Sequence, residues 1–164
     1  MIQMKFTRVF IHGLESSGRG TKGVFFRARY PDMLIEDFEG SLEQRLEKLD
    51  RVLAGREPLI LVGSSFGGLM AAIYACRNSD RVLKLILLAP ALHLDEFKPF
   101  TEKILDMPVS LFHGSDDDVV PPGPVLHIAE KIYSNLSYHL VKDDHALKET
   151  FPTYDWDALL SGDA

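Results

Sequence analysis

The sequence predicts an α/β fold: a single domain with a mostly parallel sheet of about six strands and helices on both faces. Three observations carry this. Short apolar runs recur at 59–62, 82–88 and 109–112 with no polar residue alternating through most of them, the pattern of strands covered on both sides. Between the runs lie stretches whose apolar residues return at helical intervals. The chain has 164 residues, 46% of them hydrophobic, which supplies one core and requires no second domain.

The elements follow in order. Residues 6–11 form an aromatic and β-branched run that ends at His12-Gly13, a buried first strand. A loop rich in glycine and serine occupies 16–23, and a helix is expected from 21 to 30, closed by Pro31. A second strand is expected at 33–38. Gly40-Ser41 then turns the chain, and Ser41 with Gln44 has capping-box spacing for a helix carrying Leu42, Leu46, Leu49 and Leu53 on one face. Gly55 and Pro58 stop that helix before the strand at 59–62. Small and apolar residues from 67 to 77 predict a helix able to approach the sheet closely. Strands at 82–88 and 109–112, a helix at 126–133, a strand at 138–141 and a final helix or turn from 147 complete the series. Residues 91–107, mixed and aromatic, read as a short lid or connecting segment.

Composition narrows the function. The net charge is -6 and no Lys/Arg cluster with interleaved aromatics occurs, which argues against a nucleic-acid partner. The single cysteine, Cys76, excludes an internal disulfide framework and fits a reducing compartment. No apolar run approaches the ~18 residues of a membrane span, and the N-terminal apolar run is too short and broken for a signal peptide. A cytoplasmic protein with no membrane partner is expected.

Chemistry concentrates at Gly63-Ser64-Ser65-Phe66-Gly67, a G-x-S-x-G string between an apolar strand and a helical segment. A serine held on a tight strand-to-helix turn needs small neighbours, and Gly63, Gly67 and Gly68 supply them. The turn lifts the Ser65 hydroxyl above the sheet edge, and the Phe66 N–H at the helix start is placed for a developing oxyanion. A second N–H, that of Leu14, is expected from the loop after the first strand. Serine needs a base. His145 follows the strand at 138–141 and is the candidate; His93, His127 and His139 fall in lid, helix and strand patterns, and His12 and His113 each precede a glycine where the ring can pack or hold a loop. An acid should lie between serine and histidine in sequence, and Asp116, Asp117 and Asp118 all sit just past the strand at 109–112. Spacing does not choose among them.

Other chemistries fit less well. Gly18-Arg19-Gly20-Thr21-Lys22-Gly23 spells G-x-G-x-x-G, but the first strand ends several residues earlier, and Glu36 and Asp37 lie too close to serve as the distant ribose acid. Gly13 and Gly18 have phosphate-loop spacing, but Arg19-Gly20 replaces the required Lys-Ser/Thr pair. No H-E-x-x-H or other histidine–acid ligand spacing occurs, so neither metal nor cofactor is expected. Cys76, on an apolar helix, reads as a buried small hydrophobe.

With these residues in place, the chain resembles the α/β-hydrolase superfamily over nearly its whole length. His113-Gly114-Ser115-Asp116-Asp117-Asp118-Val119-Val120-Pro121 is similar to the family's H-G-x-x-D-x-x-V-P stretch, whose fifth position is the triad acid. The resemblance therefore implies a triad of Ser65, Asp117 and His145. The opening Ile11-His12-Gly13-Leu14-Glu15-Ser16-Ser17, with Lys22 and Gly23, looks most like small, lid-poor bacterial esterases of the YqiA type. Such a likeness implies cleavage of small carboxylic esters. Thioesters or small amides are alternative substrates for the same triad, and a non-catalytic interaction protein is an alternative use of the fold. Without a cap domain the pocket should be shallow and open. Its expected substrate-binding residues are His12, Gly13, Leu92 and Phe97, with Leu14, Phe66, Leu94 and Phe100 adding apolar wall.

Overall fold

The computed structural model describes residues 5–162. Strands β1 (Thr7–Ile11), β2 (Leu34–Ile35), β3 (Leu59–Ser64), β4 (Val82–Leu88), β5 (Val109–Gly114) and β6 (Leu136–Val141) form one six-stranded sheet in the order β2-β1-β3-β4-β5-β6. Every neighbouring pair is parallel. Parallel neighbours need crossovers, which helices α1 (Thr21–Arg29), α2 (Leu42–Leu53), α3 (Phe66–Arg77) and α4 (Pro122–Ile132) supply in part; α5 (Trp156–Leu159) follows the last strand.

The strand order explains why both faces are covered. The chain steps outward from β1 to β2, then returns past β1 and proceeds through β3, β4, β5 and β6 the other way. Right-handed crossovers in opposite directions place their helices on opposite faces. Alternate strand residues divide accordingly. Val9, Ile11, Leu59, Leu61, Leu85, Leu87, Val109 and Leu111 join the cluster under α2, α3 and α4. Phe10, Ile60, Val62, Ile86, Leu88 and Phe112 join Phe26 of α1 and the C-terminal Phe151, Trp156 and Leu160. Phe26 meets Trp156 edge-on at 4.8 Å between ring centroids and Phe151 at 5.5 Å. Such pairs contribute about 0.5–1.5 kcal/mol beyond their burial. They tie the C-terminal segment to α1.

Local signals explain most boundaries. Ser41 Oγ accepts from Gln44 N–H and Gln44 Oε1 accepts from Ser41 N–H, completing the capping box of α2. Helix α4 starts at Pro122, earlier than the expected 126, because proline's missing N–H costs nothing in a first helical turn. The strand expected over 33–38 is only Leu34–Ile35. Past it, the Phe38 N–H donates to the His12 ring and the Asp37 carboxylate turns to Gly18 N–H, so this backbone leaves the ladder. Residues 91–107 contain a 3-10 turn at Asp95–Phe100 that packs Phe97 against the core beneath, and Leu105 makes a parallel bridge to Tyr133.

The reversal of strand order falls between β1 and β3. Loops leaving these two strands diverge and open a crevice at the C-terminal edge of the sheet, the usual ligand position in open α/β sheets.

Candidate active site

Ser65 stands at this crevice, between the last residue of β3 and the first of α3, with φ 56° and ψ -114°. A positive φ on a non-glycine residue costs on the order of 1–3 kcal/mol and persists only where its surroundings enforce it. Here Ser65 N–H donates to Leu88 O, and Ser65 O accepts from the N–H groups of Gly68, Leu69 and Ala91. Glycines make the turn fit. A Cβ on Gly67 would lie 2.1 Å from Ile11 O, and one on Gly63 2.4 Å from Gly67 O. Ala89 and Leu147, also at positive φ, flank the same edge.

Three side chains meet in a line. Ser65 Oγ is 3.0 Å from His145 Nε2, and His145 Nδ1 is 2.7 Å from Asp117 Oδ2. A carboxylate can only accept, so Nδ1 carries the proton and Nε2 is left to accept from the serine hydroxyl. The Asp117 side chain is fully buried, while that of His145 is 23% exposed. Asp117 Oδ1 accepts from Val119 N–H and Val120 N–H at 2.9 and 2.8 Å. Burial pushes this carboxyl up, but the bonds from His145, Val120 and Val119 outweigh it and hold it below the ordinary carboxylate value. The neighbours differ. Asp116 faces solvent and pairs with Lys142 at 2.9 Å, and Asp118 is exposed.

A second carboxylate shapes the loop carrying His145. Asp143 Oδ2 accepts from Glu149 N–H, Thr150 N–H and Thr150 Oγ1, and its Oδ1 accepts from Asp144 N–H. Burial pushes its carboxyl up, and these hydrogen bonds more than reverse the effect. Asp143→Ala is expected to cost about 2–3 kcal/mol at neutral pH, from several donors left without an acceptor. Because the folded value lies below the unfolded value of about 3.9, this stabilisation is complete above that pH. It is lost as pH falls through the folded value, so melting curves of variant and wild type should converge in strong acid. Gly114 lets the two loops meet, since a Cβ there would lie 2.4 Å from Asp144 O. Asp116 N–H crosses the gap to Asp143 O.

The crevice opens into a cleft of about 840 Å³ lined by Gly13, Leu14, Lys22, Phe66, Leu94 and Val119, among others. That is larger than a shallow pocket, and within the range that takes a substrate of drug size. Three expected substrate-binding residues lie elsewhere. His12 is buried under the loop, its Nε2 accepting from Phe38 N–H and its Nδ1 donating to Gly13 O. Leu92 and Phe97 are buried in the core with α3, because the 3-10 turn folds down onto the domain instead of arching over the cleft. Of the four, Gly13 alone lines the cleft. Leu14 and Phe66 line it as well, and neither backbone N–H has an acceptor among the described residues.

The α/β hydrolase fold family matches residues 14–105. This chain belongs to the α/β hydrolases. Among solved structures with the same fold, mouse alpha/beta hydrolase domain-containing protein 10 is 21% identical with a TM-score of 0.75, over 91% of this chain and 85% of that one. Est1E from Butyrivibrio proteoclasticus is 17% identical with a TM-score of 0.76, over 94% and 85%. The monoacylglycerol lipase of Paleococcus ferrophilus is 17% identical with a TM-score of 0.69, over 95% and 94%. The comparison with curated protein sequences gives no match.

Four further residues of this α/β hydrolase, none of them among the expected catalytic or substrate-binding residues, also shape the site. His113 is fully buried behind Asp117. Asp143 anchors the His145 loop. Lys22 Nζ donates to Ala146 O at 2.6 Å and lies over the Phe151 ring, and burial lowers its pKa against the pull of Asp144 and Asp143. His93 lines the cleft. Only contacts across strands reveal these roles. Burial also pushes the Cys76 thiol up to about 11, far from a nucleophilic thiolate. Among the described residues no cluster of three His, Cys, Asp or Glu side chains is placed to hold a metal, and no helix is long and apolar enough to cross a membrane.

Proposed function

We propose that this α/β hydrolase is a serine esterase that cleaves small carboxylic esters through an acyl-enzyme, with Ser65, His145 and Asp117 as its triad. The observation that supports it most is the line from Ser65 Oγ through His145 to Asp117, at 3.0 and 2.7 Å, at the edge of an open cleft. Ser65 Oγ attacks the carbonyl carbon as its proton passes to His145 Nε2. The Phe66 and Leu14 N–H groups, without an acceptor among the described residues, stabilise the oxyanion. His145 gives its proton to the departing alkoxide, and the acyl group stays on Ser65. Water, deprotonated by the same imidazole, then releases the acid and restores the serine. Asp117 keeps the ring in the Nδ1–H tautomer and stabilises the imidazolium. The opening Ile11–Ser17 resembles that of small, lid-poor bacterial esterases, which fits this reading.

The first experiment combines labelling with a substrate series. An electrophilic phosphonate should attach to Ser65, identified by peptide mass mapping. Hydrolysis of p-nitrophenyl esters from acetate to decanoate should favour short and medium acyl chains, since Leu92 and Phe97 pack into the core instead of extending the cleft wall. A folded protein that takes no label and cleaves no ester is a non-catalytic use of the fold. Rising turnover to the longest chain would replace the small-ester assignment with a lipase.

A further inference from the structure

His113 sits near the end of β5, four residues before Asp117, and its side chain is wholly buried. Its Nε2 lies 3.0 Å from Val120 O and 3.2 Å from Asp117 Oδ2. Both are acceptors, so Nε2 carries the proton and donates it to Val120 O, with the Asp117 carboxylate in contact. Its Nδ1 is buried with no hydrogen-bond partner among the described residues. A second proton there would be an N–H with nothing to meet, so the ring stays neutral and the tautomer is fixed. Burial lowers its pKa, with the Val120 O bond and Asp117 opposing, in the direction the geometry requires.

Asp117 Oδ2 thus accepts the His145 Nδ1–H and has His113 Nε2 3.2 Å away, while Oδ1 receives two backbone N–H groups. Three hydrogen bonds and the close His113 ring hold one carboxylate in place. We propose that His113 is a positioning residue of the site: its Nε2–H, bonded to Val120 O with Asp117 Oδ2 3.2 Å away, fixes the turn from Asp117 to Val120 and holds Oδ2 under the His145 ring. The inference rests on the triad reading above. A carboxylate that shares its charge with a second donor attracts the imidazolium less. Removing His113 should strengthen that attraction and hold the proton on His145 to higher pH, while loosening the alignment. Other charges near His145 are Lys22, bonded to the neighbouring Ala146 O, Asp143 and Asp144 on its own loop, and Glu15 and Lys148 in the cleft wall. None of these side chains touches Asp117, so all stay in place when His113 is changed.

The test compares wild type, His113→Leu and His113→Gln by NMR of the imidazole rings, with kcat and KM measured on one ester. His113→Gln keeps an N–H near the position of Nε2. In wild type the His113 ring should stay neutral with its proton on Nε2 across the neutral range. In His113→Leu, the titration of His145 and the acid limb of kcat/KM should both move to higher pH. The value of kcat should fall about tenfold or more with KM nearly unchanged, and His113→Gln should recover most of the loss. A His113 ring that is charged, or that carries its proton on Nδ1, overturns the proposal from the wild-type spectrum alone. So does a folded His113→Leu whose His145 titrates as in wild type. The NMR arm needs no turnover. A protein whose Ser65 resists the phosphonate while His145 titration still follows His113 would sink the esterase reading and leave this one standing.

Discussion

Ser65→Ala is expected to lower ester turnover by roughly 10⁴-fold or more while leaving the fold intact. The hydroxyl is the only atom lost. Alanine tolerates the φ of 56° no better than serine, but the same surroundings enforce it: Leu88 O still accepts the N–H of residue 65, and its carbonyl still receives three N–H groups. Residual hydrolysis would come from the two free N–H groups, with water as nucleophile. Thermal melting should match wild type within about a degree or two, since no buried hydrogen bond of the backbone changes. A pure, folded variant with wild-type turnover would remove Ser65 from the chemistry.

Asp117→Asn is expected to cost about 10³–10⁴-fold in kcat, through the tautomer. The amide nitrogen has protons where Oδ2 now accepts, or else its oxygen must turn away from Val119 and Val120 to face the two rings. With a donor facing Nδ1, His145 shifts its proton to Nε2 and points N–H at Ser65, so it can no longer take the serine proton. Asp116→Asn and Asp118→Asn are the controls. Asp116 loses an exposed pair with Lys142, worth at most about 1 kcal/mol, and both should keep turnover within about twofold. A large loss in either control with little in Asp117→Asn would move the acid to its neighbour. The comparison is clean because all three side chains leave one short turn and only one of them is buried against the imidazole.

The three acids show where reading a sequence stops. They are adjacent and chemically identical, and the choice among them depends on side-chain direction in a turn. That direction comes from Val119 and Val120 N–H groups folding back onto Oδ1 and from the approach of the His145 loop across Gly114. Only resemblance to a family motif singled out Asp117 beforehand. Part of the expected apolar wall lies elsewhere for a related reason. Leu92 and Phe97 have the composition of a pocket lining and equally that of a core, and the downward path of the 3-10 turn sent them to the core.

What the sequence determined by itself is local or periodic. Unbroken apolar runs divided by helical stretches specify a parallel sheet covered on both faces. Paired glycines around Ser65 specify the tight turn that exposes it, and Ser41 with Gln44 specifies a helix start. Each of these depends on residues a few positions apart. Tertiary structure alone decided what depends on residues far apart in the chain: that Ser65 and His145 come within 3.0 Å, that His12 faces Phe38 instead of the cleft, and that His113 stands behind Asp117. Hydrogen bonds are short and directional, so their partners are set by the positions of whole strands and loops, which no local pattern of residues encodes.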